Sequence, residues 1–354
     1  GQDMGAAGIT SSCTEMGAKG GNGVKINLDA LPKEDPNITP YEMLLSETQE
    51  RMVALIDPAN WDKVKAVLDF WKVNGVVVGE IVEGKNFEVV YQGKKVVDLP
   101  LKAIVDGVPF YEREVLPKPQ YFNSLKSIVL NQKTSLSQGL KTLLASPNIA
   151  AKHWLYQDFD FNAGQNTVVS PGVAGASVVK IPHKNKGLAL CTDGNSRFIY
   201  LNPEKGTMIA VCEAARNVSA LGALPIAITN GLNFGDPTHL DIYYQLVYSL
   251  QGMGKACEAL KTPITGGNAS LFNEGAFGSI YPTPIIGMVG LLKDLNLITT
   301  PHFKDKNHLI YLLGTNKEEI DGSEFAQVFY NNIGKNCPDI DLDFEAKVQK
   351  GVQD

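Results

Sequence analysis

Long hydrophobic runs are missing from this 354-residue sequence. The longest apolar stretches, such as Ile285 to Leu292, fall far short of the ~20 residues a membrane-crossing helix needs. No apolar segment of signal-peptide type opens the chain. Cysteine is scarce. Cys13, Cys191, Cys212, Cys257 and Cys337 are odd in number and form no Cys-x-x-Cys pair, which suggests neither a zinc site nor a disulfide framework. A reduced, cytoplasmic compartment fits that usage. Histidine is equally sparse: His153, His183, His239, His302 and His308 are scattered without a partner at metal spacing, so solvated or packed imidazoles are expected. Positive charge is not in excess either. The net charge is −6, against the basic footprint of nucleic-acid binding, although backbone amides and a few cations can still hold small anions. No Gly-Lys-Ser/Thr phosphate loop, Gly-x-Ser-x-Gly elbow or His-Glu-x-x-His zinc helix occurs, which removes three common routes to catalysis.

What is present is an ordinary globular composition, 44% hydrophobic and 20% charged, with length for two or three domains at ~100–200 residues each. Thirty-four glycines, about a tenth of the chain, exceed the usual ~7% and are clustered. The patterning predicts an α/β fold. A strand over 51–56 is followed by a helix from Trp61 to Trp71, with Val64, Val67, Leu68 and Trp71 at helical spacing. A strand over 76–82 and a hairpin of Phe87–Tyr91 with Lys94–Leu99 across Gln92-Gly93 complete the first domain. The proline-bearing stretch 107–125 reads as a surface linker, followed by a helix over 125–146. A second α/β domain is expected to place strands near 167–169, 177–180, 187–192, 225–230 and 285–292, and helices near 207–221 and 240–260. A strand at Leu309–Leu313 and a helix at Ser323–Phe329 would begin a third unit. The expected divisions are 1–115, 116–149, 150–292 and 293–354.

Five polar segments, four of them glycine-bearing, are expected as loops at strand ends, where open α/β sheets bind ligands. In Gln2–Gly8, Asp3 stands among small residues, as a Mg²⁺-phosphate ligand or as a helix N-cap. Glu47, Thr48 and Gln49 offer an acceptor, a hydroxyl and an amide in succession, suited to a polar substrate or to a solvated turn. Cys191–Asn195 places Asp-Gly-Asn after a strand, which is equally a turn. Thr229–Pro237 carries Asn230, Gly231, Asn233 and Gly235. Thr262–Ser270 carries Gly266-Gly267, which permits close backbone approach to phosphate, then the oxygen of Asn268 and the hydroxyl of Ser270, continuing to Asn273-Glu274.

These segments resemble the phosphoribosylformylglycinamidine synthases, within the aminoimidazole ribonucleotide synthetase superfamily. The resemblance rests on Asp-Met-Gly-Ala-Ala-Gly at 3–8, Thr-Pro-Tyr-Glu at 39–42 and Ser-Glu-Thr-Gln-Glu-Arg-Met at 46–52. It continues through Thr-Asp-Gly-Asn at 192–195, Ala-Ala-Arg-Asn at 214–217 and Gly-Leu-Asn-Phe-Gly at 231–235. Gly-Gly-Asn-Ala-Ser at 266–270 and Tyr-Pro-Thr-Pro at 281–284 complete it, in order over essentially the whole chain.

The resemblance implies N-terminal and C-terminal synthetase-like domains and ATP-dependent amidation of N²-formylglycinamide ribonucleotide in purine biosynthesis. The amide oxygen would be phosphorylated to an iminophosphate, which ammonia from a glutaminase subunit, helped by a small accessory subunit, converts to the amidine. ATP and Mg²⁺ are implied; neither nucleic acid nor membrane is. Carried over by position, Asp3 and Asn268 would bind magnesium, Asn230 and Gly267 ATP, and Glu47, Thr48, Gln49 and Ser270 the substrate. Asn230 stands where many relatives have Asp, which removes a charge and adds a donor. No role carries over for Asp193, Asn195 or Arg197. The resemblance also implies a fragment, opening within the first C-terminal domain and ending within the second. The family's catalytic His, other magnesium carboxylates and ATP-contacting Lys and Tyr would precede Gly1, so the chain alone is expected to be inactive. A non-catalytic nucleotide-binding module, or another superfamily member such as a selenophosphate synthetase or thiamine-phosphate kinase, are the rival readings.

Overall fold

The computed structural model describes residues 1–354 other than 6, 48–50, 132–133 and 160. The chain divides into two compact units, Gly1–Glu112 and Arg113–Asp354.

The first unit runs β1 (Gln2–Asp3), α1 (Gly8–Gly20), β2 (Gly23–Asn27), α2 (Pro40–Leu45), β3 (Met52–Val53), α3 (Trp61–Phe70), β4 (Gly79–Val82), β5 (Asn86–Tyr91), β6 (Lys94–Pro100) and α4 (Leu101–Val105). Four strands form a sheet in the order β4-β2-β5-β6, with the central pair β2–β5 parallel and the outer pairs antiparallel. Val24 and Ile26 of β2 and Phe87 and Val89 of β5 alternate inward, the two-residue period of a half-buried strand. They pack on Ile9 and Cys13 of α1 and Leu101 of α4. Thr39-Pro-Tyr-Glu is a capping box: Thr39 accepts from the Glu42 amide, Glu42 returns to the Thr39 amide, and Pro40 occupies the first turn. The strand expected over 51–56 is only Met52–Val53, because its partner β1 has just two residues to pair with it. The strand expected over 76–82 starts at Gly79, opposite Ile26.

The second unit runs α5 (Leu136–Ala145), α6 (His153–Tyr156), β7 (Thr167–Val169), β8 (Ser177–Lys180), β9 (Gly187–Asp193), α7 (Ser196–Leu201), α8 (Pro203–Ser219), β10 (Leu224–Asn233), α9 (Leu240–Leu260), β11 (Ile264–Ser270), β12 (Glu274–Gly275), β13 (Gly278–Ser279), β14 (Thr283–Leu292), α10 (Glu324–Tyr330) and α11 (Leu342–Gln353). Six strands form a sheet in the order β11-β10-β14-β9-β8-β7; β11 lies at one edge, parallel to β10. Helices α8 and α9 cover one face, where Ala210, Val211, Ala214, Ala215, Val218 and Met253 bury Val178, Ala189, Ile228, Ile286 and Met288. The run of alanines on α8 lets the helix sit close to the strands. Leu190 and Ile285, pointing the other way, stay exposed.

Two expectations change here. The helix read over 125–146 begins only after Ser135, whose hydroxyl caps the Gln138 amide, and 120–124 form a 3-10 turn instead. Leu309–Leu313 is not a strand: its side chains are exposed, and among the described residues no strand pairs with it. No helix among the described residues is long and apolar enough to cross a membrane.

Candidate functional site

In the first unit, Asp3 ends β1 opposite Met52 of β3. Its carboxylate accepts the Gly5 amide at 2.9 Å, closing a tight turn of the kind short carboxylates form with their own backbone. The N-cap alternative for Asp3 is therefore displaced, because α1 is preceded by Ala7 with no capping side chain. Glu47 reaches the same turn: its Oε1 accepts the Ala7 amide at 2.8 Å. Gly8 makes this approach possible. Its φ is +55°, and a Cβ there would collide with the Ser46 carbonyl oxygen. Asp3 and Glu47 are thus brought together by sequence-distant segments, both carboxylates exposed. Thr48 and Gln49 lie outside the described residues.

In the second unit, the segments expected as loops are strands. Asn230, Gly231 and Asn233 belong to β10, and Gly266–Ser270 to β11. Their glycine- and asparagine-rich composition imitates a loop, but β11 is an edge strand held by parallel pairing to β10. The register sets Asn230 beside Gly267, Gly231 beside Asn268 and Asn233 beside Ser270. Because successive side chains point to opposite faces, the candidates divide. Asn230 faces the helices, its Nδ2 donating to the Met253 sulfur at 3.2 Å. Asn268 and Ser270 point the other way, with Asn268 exposed. Gly267 is glycine because the Asn230 side chain and carbonyl fill the space a Cβ would need.

One register row crosses four strands: Asp193 of β9, Ile286 of β14, Asn230 of β10 and Gly267 of β11. Asp193 is turned under α8, where the Asn217 amide donates to both of its oxygens at 3.0 and 3.2 Å. Burial raises the Asp193 carboxyl above its usual range, with Asn217 opposing. Burial also raises Glu213, helped by the nearby Asp193 charge, and lifts the Cys191 thiol to about 12. The two other residues of that motif have structural work. Asn195 caps α7 by accepting from the Phe198 amide, and Arg197 pairs with Glu324 at 2.7 Å. Glu324 also accepts from Ser146 and Asn148. The Ser146 hydroxyl first, then Arg197 and Asn148, hold its carboxyl down at about 2 despite burial.

The matches to known proteins follow the same division. The AIR synthase related protein C-terminal domain family matches residues 1–92, and its N-terminal domain family matches residues 174–292. The chain belongs to the AIR synthase related family. It is 42% identical over 99% of its length to the phosphoribosylformylglycinamidine synthase subunit PurL of Thermoanaerobacter sp. (strain X514), covering 48% of that protein. The PurL subunit of Thermoanaerobacter pseudethanolicus is equally similar. Among solved structures, T. maritima PurL complexed with ATP superposes with a TM-score of 0.67 at 29% identity, over 85% of this chain and 47% of that one. T. maritima PurL complexed with FGAR gives 0.67 at 28%. The chain spans about half the length of the PurL proteins it matches.

In this family member the donors offered for magnesium are chemically suitable. Asp3 and Asn268 present hard oxygens, and Mg²⁺ bound with phosphates takes only one or two protein oxygens and keeps several waters. Among the described residues no three His, Cys, Asp or Glu side chains converge, so a cage made of side chains alone does not occur there. The sequence reading missed Asn217 as a partner of Asp193. It also missed Asn273, whose side chain donates to the Phe234 and Ser270 carbonyls at 3.0 and 2.8 Å. Both lie in or beside motifs already conspicuous in the sequence, yet only the fold shows what they hold.

Proposed function

We propose that the chain carries part of the machinery of an ATP-dependent, amidine-forming ligase acting on N²-formylglycinamide ribonucleotide. The supporting observation is its 42% identity to PurL subunits along 99% of its length, reinforced by T. maritima PurL structures solved with ATP and with FGAR. Phosphoryl transfer from ATP to the formamide oxygen turns a poor leaving group into phosphate. Ammonia then adds to the carbon, phosphate departs, and the amidine remains. A glutaminase subunit, helped by a small accessory subunit, supplies the ammonia in this reading; a T. maritima structure named PurLQS is among the matches.

Within this chain, Gly267 and Asn230 serve ATP. The close strand approach at Gly267 keeps backbone amides accessible along an exposed edge, where phosphate oxygens can be held without a side-chain base. Asn230, whose side chain faces the helices, serves ATP indirectly by filling the space that keeps residue 267 a glycine. In the second unit Ser270 is assigned to the ribonucleotide; in the first unit Glu47, Thr48 and Gln49 are assigned, separately, as polar groups for the same class of substrate. Asp3 in the first unit and Asn268 in the second are each assigned as a magnesium ligand on their own; magnesium, when bound, would offset charge on the transferring phosphoryl group.

Calorimetry and a coupled amidine assay test the proposal. The purified chain is expected to bind ATP with Mg²⁺ but to form no amidine from the ribonucleotide, ATP, Mg²⁺ and ammonium. Failure to bind ATP overturns the assignment of Asn230 and Gly267. Clear amidine formation shows that the chain suffices alone and overturns the reading of it as part of a larger machinery.

A further inference from the structure

We infer that Asn273 is a positioning residue that sets the hydrogen-bond polarity of the Ser270 hydroxyl, so that Ser270 presents its proton to an acceptor oxygen of the substrate. The inference rests on the proposed substrate role of Ser270. After β11 the chain turns back across the end of β10. The Asn273 backbone amide donates to the Phe234 carbonyl at 3.1 Å, and the Phe234 amide donates to the Ser270 carbonyl at 3.0 Å. This cross-link places the Asn273 side chain directly against Ser270. The two N–H bonds of its Nδ2 point to the Ser270 carbonyl at 2.8 Å and the Phe234 carbonyl at 3.0 Å, and one of them is shared with the Ser270 Oγ at 3.2 Å.

The alternative orientation, with the Ser270 hydroxyl donating to Asn273 Oδ1, spans 3.4 Å, near the limit of a useful hydrogen bond. A hydroxyl has one donor and two acceptor sites. With Nδ2 filling an acceptor site, the Ser270 proton is free to point away from Asn273. The partner it then suits is an acceptor, such as a phosphate, carbonyl or hydroxyl oxygen of the ribonucleotide, and not an amide N–H. The half-buried setting of Ser270 and Asn273 limits competition from water. The neighbouring Glu274 is occupied differently, accepting from the Asp236 amide and the Ser279 hydroxyl, so it does not compete for Ser270.

A double-mutant cycle tests this, using dissociation constants of the chain for N²-formylglycinamide ribonucleotide. Ser270→Ala is expected to weaken binding about tenfold or more, the range for one hydrogen bond to a charged group. Asn273→Ala should weaken it comparably when Ser270 is present and less than about twofold when residue 270 is alanine. Ser270→Thr, which keeps the hydroxyl, should retain both the affinity and its dependence on Asn273. Asn273→Asp offers a second variant of nearly equal size that reverses the polarity, and thermal melting identifies any variant that fails to fold. Equal losses from Asn273→Ala in both backgrounds, or no loss with Ser270 present, overturn the inference while leaving Ser270 a substrate contact. Failure of the unsubstituted chain to bind, or unchanged binding by Ser270→Ala, removes the substrate role itself and the inference with it.

Discussion

The contact between Gly267 and Asn230 gives the sharpest test of how this sheet is built. A Cβ at 267 would lie 2.5 Å from the Asn230 carbonyl oxygen and closer still to its Oδ1. The side-chain oxygen can rotate away. The carbonyl cannot, because Asn230 is held from the other side by its pairing with Ile286 of β14. Gly267→Ala therefore forces β11, the edge strand, to shift outward. Overpacking of this kind costs about 1–3 kcal/mol, which for a unit of this size lowers the melting temperature by about 2–4 °C per kcal/mol. The neighbouring Gly266 is a built-in control, since nothing lies within 4 Å of a Cβ placed there. Gly266→Ala should be neutral or stabilise by up to about 1 kcal/mol by restricting the unfolded chain. The assay is thermal and urea unfolding of both variants, with ATP titration by calorimetry. Gly267→Ala should melt lower and bind ATP at least about tenfold more weakly. If the two variants unfold alike, the steric account of Gly267 is wrong.

Two further outcomes concern half-buried carboxylates with opposite shifts. Glu324 is held down at about 2 against an ordinary value of 4.5, so its contribution is full above about pH 4.5 and is lost as pH falls toward 2. Glu324→Gln should cost up to ~3 kcal/mol at pH 7 and little at pH 2, read from urea unfolding at both values; an equal cost at each would refute the linkage. Asp193 is raised by burial, with Asn217 as its amide partner. Asn217→Ala should cost about 1–3 kcal/mol where Asp193 is charged, and the loss should shrink on acidification as the carboxyl takes up a proton. A loss that stays constant between pH 8 and pH 4 would assign Asn217 a packing role only.

What was legible from the residues, and what was not, follows from where the deciding interactions lie. Thr39-Pro-Tyr-Glu reads in the sequence only as a polar segment before a strand, although its capping box, closed within four residues, starts α2. Alternating Phe87/Val89 reveal a strand because burial on one face imposes the period directly on the chain, whereas β2, with only Val24 and Ile26 buried in alternation after a glycine-rich stretch, does not read as one. Leu309–Leu313 has the composition of a strand, yet strand formation needs a partner, and no strand among the described residues pairs with it. Gly266–Ser270 is the reverse case. Every residue there favours a loop, but pairing to β10 overrides local preference, since the backbone bonds of β11 are supplied by residues nearly 40 positions earlier. The candidate site obeys the same distinction. Asp3, Glu47, Asn230, Gly267, Asn268 and Ser270 could be picked out as chemistry-bearing residues, whereas their division between sheet faces could not. That division depends on a pairing shift on β11, where Ile228 faces Ile264 but Thr229 faces Gly266 and Thr265 is the extra residue. That one residue sets Gly267, and not Gly266, beside Asn230 and decides which face each later β11 side chain takes. Asn230 is therefore best understood as a residue with two loads: it fills the space that makes residue 267 a glycine, and it leaves the ligand-facing role on that row to the backbone.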